Sequence, residues 1–346
     1  MTSKLETLLK TQGYVICAEG YLFEMERRGY LQAGAFVPEV VLEHPEVVEQ
    51  LHREFVRAGS DIVEAFTYYA HREKLRLVGR EEDLEKINRK ALQIAAKVAS
   101  ETGTILAGNI CNTNLYQADG SADKEINAMF DEQLTWAVEA GADFIIGETF
   151  SFLGEAILAL EAIKKTGLPA VITLAIHRDG LTREGETPEF ACAVLEEAGA
   201  FIVGLNCLRG PDSMYPLLSK IRSSCCCPIA ALPVPYRTPS SEPTFGSLVD
   251  KEEHAHPVDQ HSFPVHLDPF TCTRFEIATF GAKAKALGVS YFGVCCGAGP
   301  HHIRALAEVL GKKTEASLYS ADMSKHYALG SESSLKSNNL QFQTKL

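Results

Sequence analysis

The sequence predicts a single (β/α)8 barrel with a C-terminal tail, and three observations carry that prediction. Eight short apolar runs rich in β-branched residues alternate with longer helical patterns. The runs are apolar almost throughout instead of alternating with polar residues, as strands covered on both faces must be. No GxGxxG follows the first run and no second domain boundary interrupts the chain, which argues against an open doubly wound sheet.

In chain order the strand-like runs are VICA (15–18), DIVEAF (61–66), TILAGNI (104–110), DFIIGE (143–148), PAVITLAI (169–176), AFIVGLN (200–206), PIAALPV (228–234) and VSYFGV (289–294). Helical patterns fill the gaps. Residues 40–59, VVLEHPEVVEQLHREFVRAG, read as one helix despite Pro45. Several patterns end in glycine, a usual C-terminal stop. Thr187-Pro188-Glu189 reads as an N-cap with proline in the first turn. The barrel is expected over residues 10–312, with a long loop after the seventh strand at 235–270, rich in Pro, Ser and His. Residues 313–346 are Ser- and Lys-rich with few large apolar side chains, and are expected to form a disordered tail.

Composition narrows the function classes. Hydrophobic residues make up 46% and charged residues 23%, enough apolar chain for a large core. A net charge of −12 argues against a nucleic acid or an anionic membrane as partner and favours a cationic or zwitterionic ligand. No segment is apolar enough to span a bilayer, and MTSKLETLLKTQGY has no apolar signal core, so a cytoplasmic protein is expected. In that compartment the ten cysteines stay reduced, and most serve as small buried hydrophobes. A homo-oligomer is compatible with this composition.

Barrel enzymes place their chemistry at the C-terminal ends of the strands. That rule selects Glu19 and Gly20 after the first strand, then Phe66, Tyr68 and Tyr69 after the second. Asn109 ends the third, Glu148 and Thr149 end the fourth, His177 follows the fifth, Asn206 and Cys207 end the sixth, and Cys295 and Cys296 end the eighth. Strands six and eight are one strand apart around a closed barrel, so Cys207, Cys295 and Cys296 can converge. Three sulfurs with an open fourth position suit Zn²⁺; three packed cysteines are the competing reading. Cys225, Cys226 and Cys227 form a denser run, but adjacent side chains diverge and the run precedes its strand. His254, His256, His261 and His266 lie in irregular chain and read as solvated, and His301 and His302 as flanking the last helix. A metal-dependent barrel hydrolase would set histidines and carboxylates at the strand ends instead. A non-catalytic zinc or thiol-binding protein would need a fourth protein ligand closing the site.

The segments GLNC (204–207) and GVCCGAGPHHIRALAE (293–308) resemble the paired zinc motifs of the homocysteine S-methyltransferases. Residues 19–75 resemble most closely the betaine–homocysteine S-methyltransferase branch, and the resemblance runs from about Tyr14 to about Gly311. It implies a zinc enzyme that moves a methyl group from an onium donor, betaine or a sulfonium such as S-methylmethionine, to homocysteine, giving methionine. By the same resemblance Cys207, Cys295 and Cys296 hold Zn²⁺, and Glu148 meets the homocysteine amino group, with Glu19, Gly20 and Asn206 beside it. Phe36, Tyr68, Tyr69 and Thr149 border the methyl donor. The chain departs from the family at three places. Glu19 stands one position after the family's strand-end aspartate, Thr149 replaces a tyrosine, and Phe36 replaces a tryptophan. The glycines around Cys295 and Cys296 are expected to leave room for a metal and an incoming thiol.

Overall fold

Every residue of the first strand, Val15–Ala18, is buried, although successive side chains point to opposite faces. Val15 and Cys17 join one apolar cluster and Ile16 and Ala18 another. The first cluster fills the inside of a closed parallel barrel; the second lies between barrel and helices. Two covered faces explain why the strands read as apolar runs.

The structure, a computed structural model, describes residues 2–34, 36–250, 262–264, 266–319, 341–342 and 345. The strands are β1 (Val15–Ala18), β2 (Ile62–Glu64), β3 (Ile105–Cys111), β4 (Phe144–Phe150), β5 (Ala170–Leu174), β6 (Ile202–Asn206), β7 (Ile229–Leu232) and β8 (Tyr291–Val294). They pair in sequence order, and β1 closes the ring on β8 with Val15 opposite Tyr291 and Ala18 opposite Val294. The helices are α1 (Lys4–Gln12), α2 (Tyr21–Arg27), α3 (Val40–Glu43), α4 (Pro45–Ala58), α5 (Arg72–Leu77), α6 (Leu84–Thr102), α7 (Asp123–Glu139), α8 (Leu153–Thr166), α9 (Pro188–Glu197), α10 (Pro211–Ser224), α11 (Arg274–Leu287) and α12 (Pro300–Val309).

The fold class is the expected (β/α)8 barrel, with local corrections. The single helix expected over 40–59 is two, α3 and α4, with His44 between them at φ −139°. Proline disfavours helical backbone at the residue before it and is welcome at a first helical position, so Pro45 starts α4 instead of kinking a longer helix. Helix α1 escaped the pattern reading and begins before the expected start of the barrel. Ser3 Oγ accepts from Glu6 N at 3.1 Å, and Gly13 ends the helix at φ 77°. Leu5 of α1 is fully buried in the same cluster as the inward-facing Val15, Ile62, Phe144, Ile202 and Tyr291, so α1 plugs one end of the barrel. The Thr187 cap is present, accepting from Phe190 N at 3.4 Å, with Pro188 in the first turn of α9.

Part of the long loop is built into the molecule. Tyr236 forms an isolated bridge with Thr271, and Phe245 and Leu248 are buried. His254, His256 and His261 lie outside the described residues, as does most of the expected tail. Within the described part of that tail, Glu315–Tyr319 form a short 3-10 turn. No helix among the described residues is long and apolar enough to cross a membrane.

Candidate metal centre

Parallel strands leave a ring of loop starts at one end of the barrel, and the backbone there is strained. Six non-glycine residues have left-handed φ among the described residues: Phe36 (59°), Tyr69 (55°), Asn114 (66°), Thr149 (63°), Cys207 (58°) and Leu208 (52°). All six line one cavity of about 510 Å³. Such backbone costs of order 1–3 kcal/mol per residue and gathers where function over-determines the conformation. This points to the cavity independently of its chemistry.

At the floor the sulfurs of Cys207, Cys295 and Cys296 lie within 4.8 Å of one another. Cys207 is 5% exposed and Cys295 2%, while Cys296 is partly exposed and lines the cavity with Cys207. Hydrogen bonds from Cys295 and Cys296 pull the Cys207 thiol well below its ordinary pKa and push their own well up. Without a cation the trio therefore stabilises one thiolate among two thiols, because three adjacent anions repel. A tetrahedral zinc site with bonds of about 2.3 Å sets two sulfurs about 3.8 Å apart, and Cys295 and Cys296 Sγ are 3.8 Å apart. The donor set and its spacing fit a Zn²⁺ ion. Of the other cysteines, Cys226 and Cys227 donate their backbone N–H groups to Glu196 and belong to no metal-competent group among the described residues.

Beside the sulfurs lies a buried polar layer. Asn206 Nδ2 donates to Glu148 Oε2 at 2.7 Å, to Thr149 Oγ1 at 2.9 Å and to Glu19 Oε2 at 3.5 Å. Its Oδ1 accepts from Thr149 N at 2.9 Å. Asn109 Nδ2 donates to Glu148 Oε1 at 2.6 Å and to Glu64. Three carboxylates thus meet around two amides, with no Lys or Arg bonded to them among the described residues. Burial, then the neighbouring carboxylates, push Glu19 and Glu64 well up. Burial pushes Glu148 up to about 7. Glu19 Oε1 is buried without a hydrogen-bond partner, and Glu19, Glu148 and Cys295 place ligand atoms within 4.8 Å of one another. An unpaired acceptor among raised carboxylates is a place for a cation or an ammonium group.

The cavity wall is aromatic. Tyr68 and Tyr69 pack with ring centroids 4.3 Å apart, and Tyr69 OH accepts from Asn112 Nδ2 at 3.3 Å. Phe36 lies 6.0 Å from Phe23 and 6.1 Å from Phe263, and Phe245 lies 5.1 Å from Phe263. All of these rings line the cavity.

The structure brings together the sulfurs with Glu19, Glu148 and Asn206, and sets Phe36, Tyr68, Tyr69 and Thr149 around the adjoining space. At Gly20 a Cβ would collide with the Ala298 carbonyl, so the residue lets β1 meet the loop before α12. The glycines beside the cysteine pair likewise serve packing. A side chain at Gly293 would strike the Cys17 carbonyl, and one at Gly297, φ 94°, the Tyr236 ring. Glu64, Phe23, Phe245 and Phe263 were missed. Glu64 carried a signal, an acid flanked on both sides by apolar residues, Ile62 and Val63 before it and Ala65 and Phe66 after it; the phenylalanines carried none.

Similarity to known proteins follows the same outline. A sequence model described as homocysteine S-methyltransferase matches residues 17–310. The chain is 36% identical over 308 residues to betaine–homocysteine S-methyltransferase 1 of Bos taurus, across 86% of this chain and 72% of that one. It is 34% identical over 301 residues to an S-methylmethionine–homocysteine S-methyltransferase of Mus musculus, across 86% of this chain and 78% of that one. The fold matches the metallated form of the homocysteine methyltransferase MmuM of Escherichia coli with a TM-score of 0.68, 20% identity, and coverage of 88% and 99%.

Proposed function

The chain belongs to the homocysteine S-methyltransferase family, and from that premise we propose that it transfers a methyl group from an onium donor to the thiol of homocysteine, using Zn²⁺ held by Cys207, Cys295 and Cys296. The observation that carries this reading is the convergence of three sulfurs within 4.8 Å at the floor of an aromatic-walled cavity. Zn²⁺, when bound, lowers the pKa of a thiol that joins the three cysteines and keeps it as a nucleophilic thiolate.

The chain's own residues do the rest. Glu148 and Glu19 receive the homocysteine ammonium, whose charge offsets the burial that raises both carboxylates. Asn206 and Asn109 hold those carboxylates in place through the amide bonds described above. Phe36, Tyr68 and Tyr69 present ring faces to a cationic donor, which attracts it without bonding to it and leaves its methyl group free to react. The sulfur–carbon bond forms as the donor's carbon–onium bond breaks, and the bonding pair leaves with a neutral sulfide or amine. The protein acts in the cytoplasm without nucleic acid or membrane partners, in line with its ten free cysteines.

The test is a donor panel with homocysteine and purified protein, with zinc measured on the same sample. Methionine should form, and S-methylmethionine or dimethylsulfonioacetate should serve at least as well as betaine. The reason is the smaller cage, with Phe36 and Thr149 at two of its walls. Strong betaine turnover with no sulfonium turnover would refute that preference; no methionine from any donor would refute the function.

A further inference from the structure

One cation of the cavity has no role in the account above. Arg183 lines the same cavity as Thr149, Cys207 and Cys296, but is exposed, so it stands at the rim above the sulfur floor. Its place is set by backbone. Arg183 N donates to Ser151 O at 2.8 Å, tying the loop after β5 to the end of β4. The turn around it is closed by Thr182 N to Glu186 O at 2.9 Å and Glu186 N to Thr182 Oγ1 at 3.1 Å.

Two carboxylates of this region are occupied elsewhere. Glu184, next in the chain, accepts from Tyr116 OH at 2.9 Å and from Gly154 N at 3.1 Å. Glu155, which also lines the cavity, accepts from Thr113 N at 2.7 Å and Thr113 Oγ1 at 2.6 Å. His177, paired with Ser151 Oγ at 2.8 Å, is held neutral by burial and then by the charge of Arg183. Among the described residues the Arg183 guanidinium has no hydrogen-bond or ion-pair partner. The cavity therefore has an anionic floor and one uncompensated cation at its rim.

We propose that Arg183 reads the carboxylate of the methyl donor, so that the enzyme selects zwitterionic onium carboxylates over simple onium cations. The inference rests on the methyl-transfer reading. A donor must turn a methyl group toward the sulfurs, which directs its other substituents to the opposite end of the cavity. A carboxylate there meets a planar guanidinium built for that geometry. Among the described residues that line the cavity, Arg183 is the one Lys or Arg side chain able to offset the carboxylate's charge.

Two sulfoniums make the test. Dimethylsulfonioacetate carries a carboxylate where trimethylsulfonium carries a hydrogen. Arg183→Gln should lower kcat/KM for dimethylsulfonioacetate at least tenfold more than for trimethylsulfonium, and Arg183→Lys should restore much of the difference. An unchanged ratio of the two donors overturns the proposal. So does a rise in the KM for homocysteine with the donor KM unmoved, which would assign Arg183 to the acceptor. If the wild type makes methionine from neither of these donors nor from betaine or S-methylmethionine, the methyl-transfer reading is at fault, and calorimetric titration of both sulfoniums still decides on Arg183. Selective loss of dimethylsulfonioacetate binding in Arg183→Gln supports the role; equal binding to wild type and variant overturns it.

Discussion

Cys207 holds a conformation that its side chain disfavours, at φ 58°. The surrounding backbone compels it: Cys207 N donates to Leu232 O at 3.0 Å and its carbonyl accepts from Arg209 N at 2.6 Å. Thr149, at φ 63°, is pinned likewise by Asn206 Oδ1 at 2.9 Å. Both residues are thereby aimed before any ligand arrives. Cys207→Ala keeps this backbone and removes one sulfur, so bound zinc should fall from about one ion per chain to a small fraction, and methyl transfer with it. Metal analysis and turnover on the same preparation check this, with circular dichroism to establish folding. Full activity in the variant would remove the metal centre from the mechanism.

Among the elements, α12 ties the cysteine pair to the rest of the barrel. His302 is buried in its first turn; Nδ1 accepts from Gly299 N at 3.2 Å, and Nε2 pairs with Cys272 O at 2.9 Å. The Nδ1 bond needs the neutral ring, because a protonated Nδ1 cannot accept, and burial pulls the ring's pKa down to about 3. The unfolded chain binds this proton near pH 6.5 and the folded chain does not. Stability is therefore present in full above about pH 6.5 and is lost as pH falls toward 3, by up to about 1.4 kcal/mol per pH unit from this ring. Urea midpoints measured between pH 7 and 4 should show that slope, and it should flatten in His302→Gln. A slope the same in both proteins would show that His302 is not its source.

Across the whole molecule, polarity is sorted along the barrel axis. One end is dry, with α1 seated against Val15, Phe144 and Tyr291; the other carries the carboxylates, amides and sulfurs. Stability and chemistry should separate accordingly. Leu5→Ala opens a cavity at the dry end and should cost about 2–5 kcal/mol of unfolding free energy. The KM for homocysteine should stay the same, because Leu5 packs at the strand starts, the end of the barrel opposite the sulfurs. Denaturant unfolding beside steady-state kinetics checks this, and a raised KM would mean that the plug shapes the site.

The barrel and the three cysteines were legible because both depend on local signals. Strands covered on both faces are apolar throughout, and strand ends bear the chemistry of this fold, so a list of strand ends contained Glu19, Glu148, Asn206, Cys207, Cys295 and Cys296. Glu64 was hidden because the apolar run continues to Phe66 whereas β2 ends at Glu64, so the strand end was placed two residues too late; which inward position meets the polar layer depends on barrel register. Phe23, Phe245 and Phe263 come from α2 and the long loop, far apart in the chain, and only their packing makes them a wall. The close neighbours of the cysteine-flanking glycines, the Cys17 carbonyl and the Tyr236 ring, were hidden because they are distant in sequence.

The sequence alone determined that this chain closes into a barrel and that cysteines crown two of its strands, because periodicity and residue type act over a few positions. Only the tertiary structure decided that three carboxylates share two amides, that six strained residues line one cavity, and that Arg183 stands there without a partner among the described residues. Those facts depend on distances between elements, which residue order does not contain.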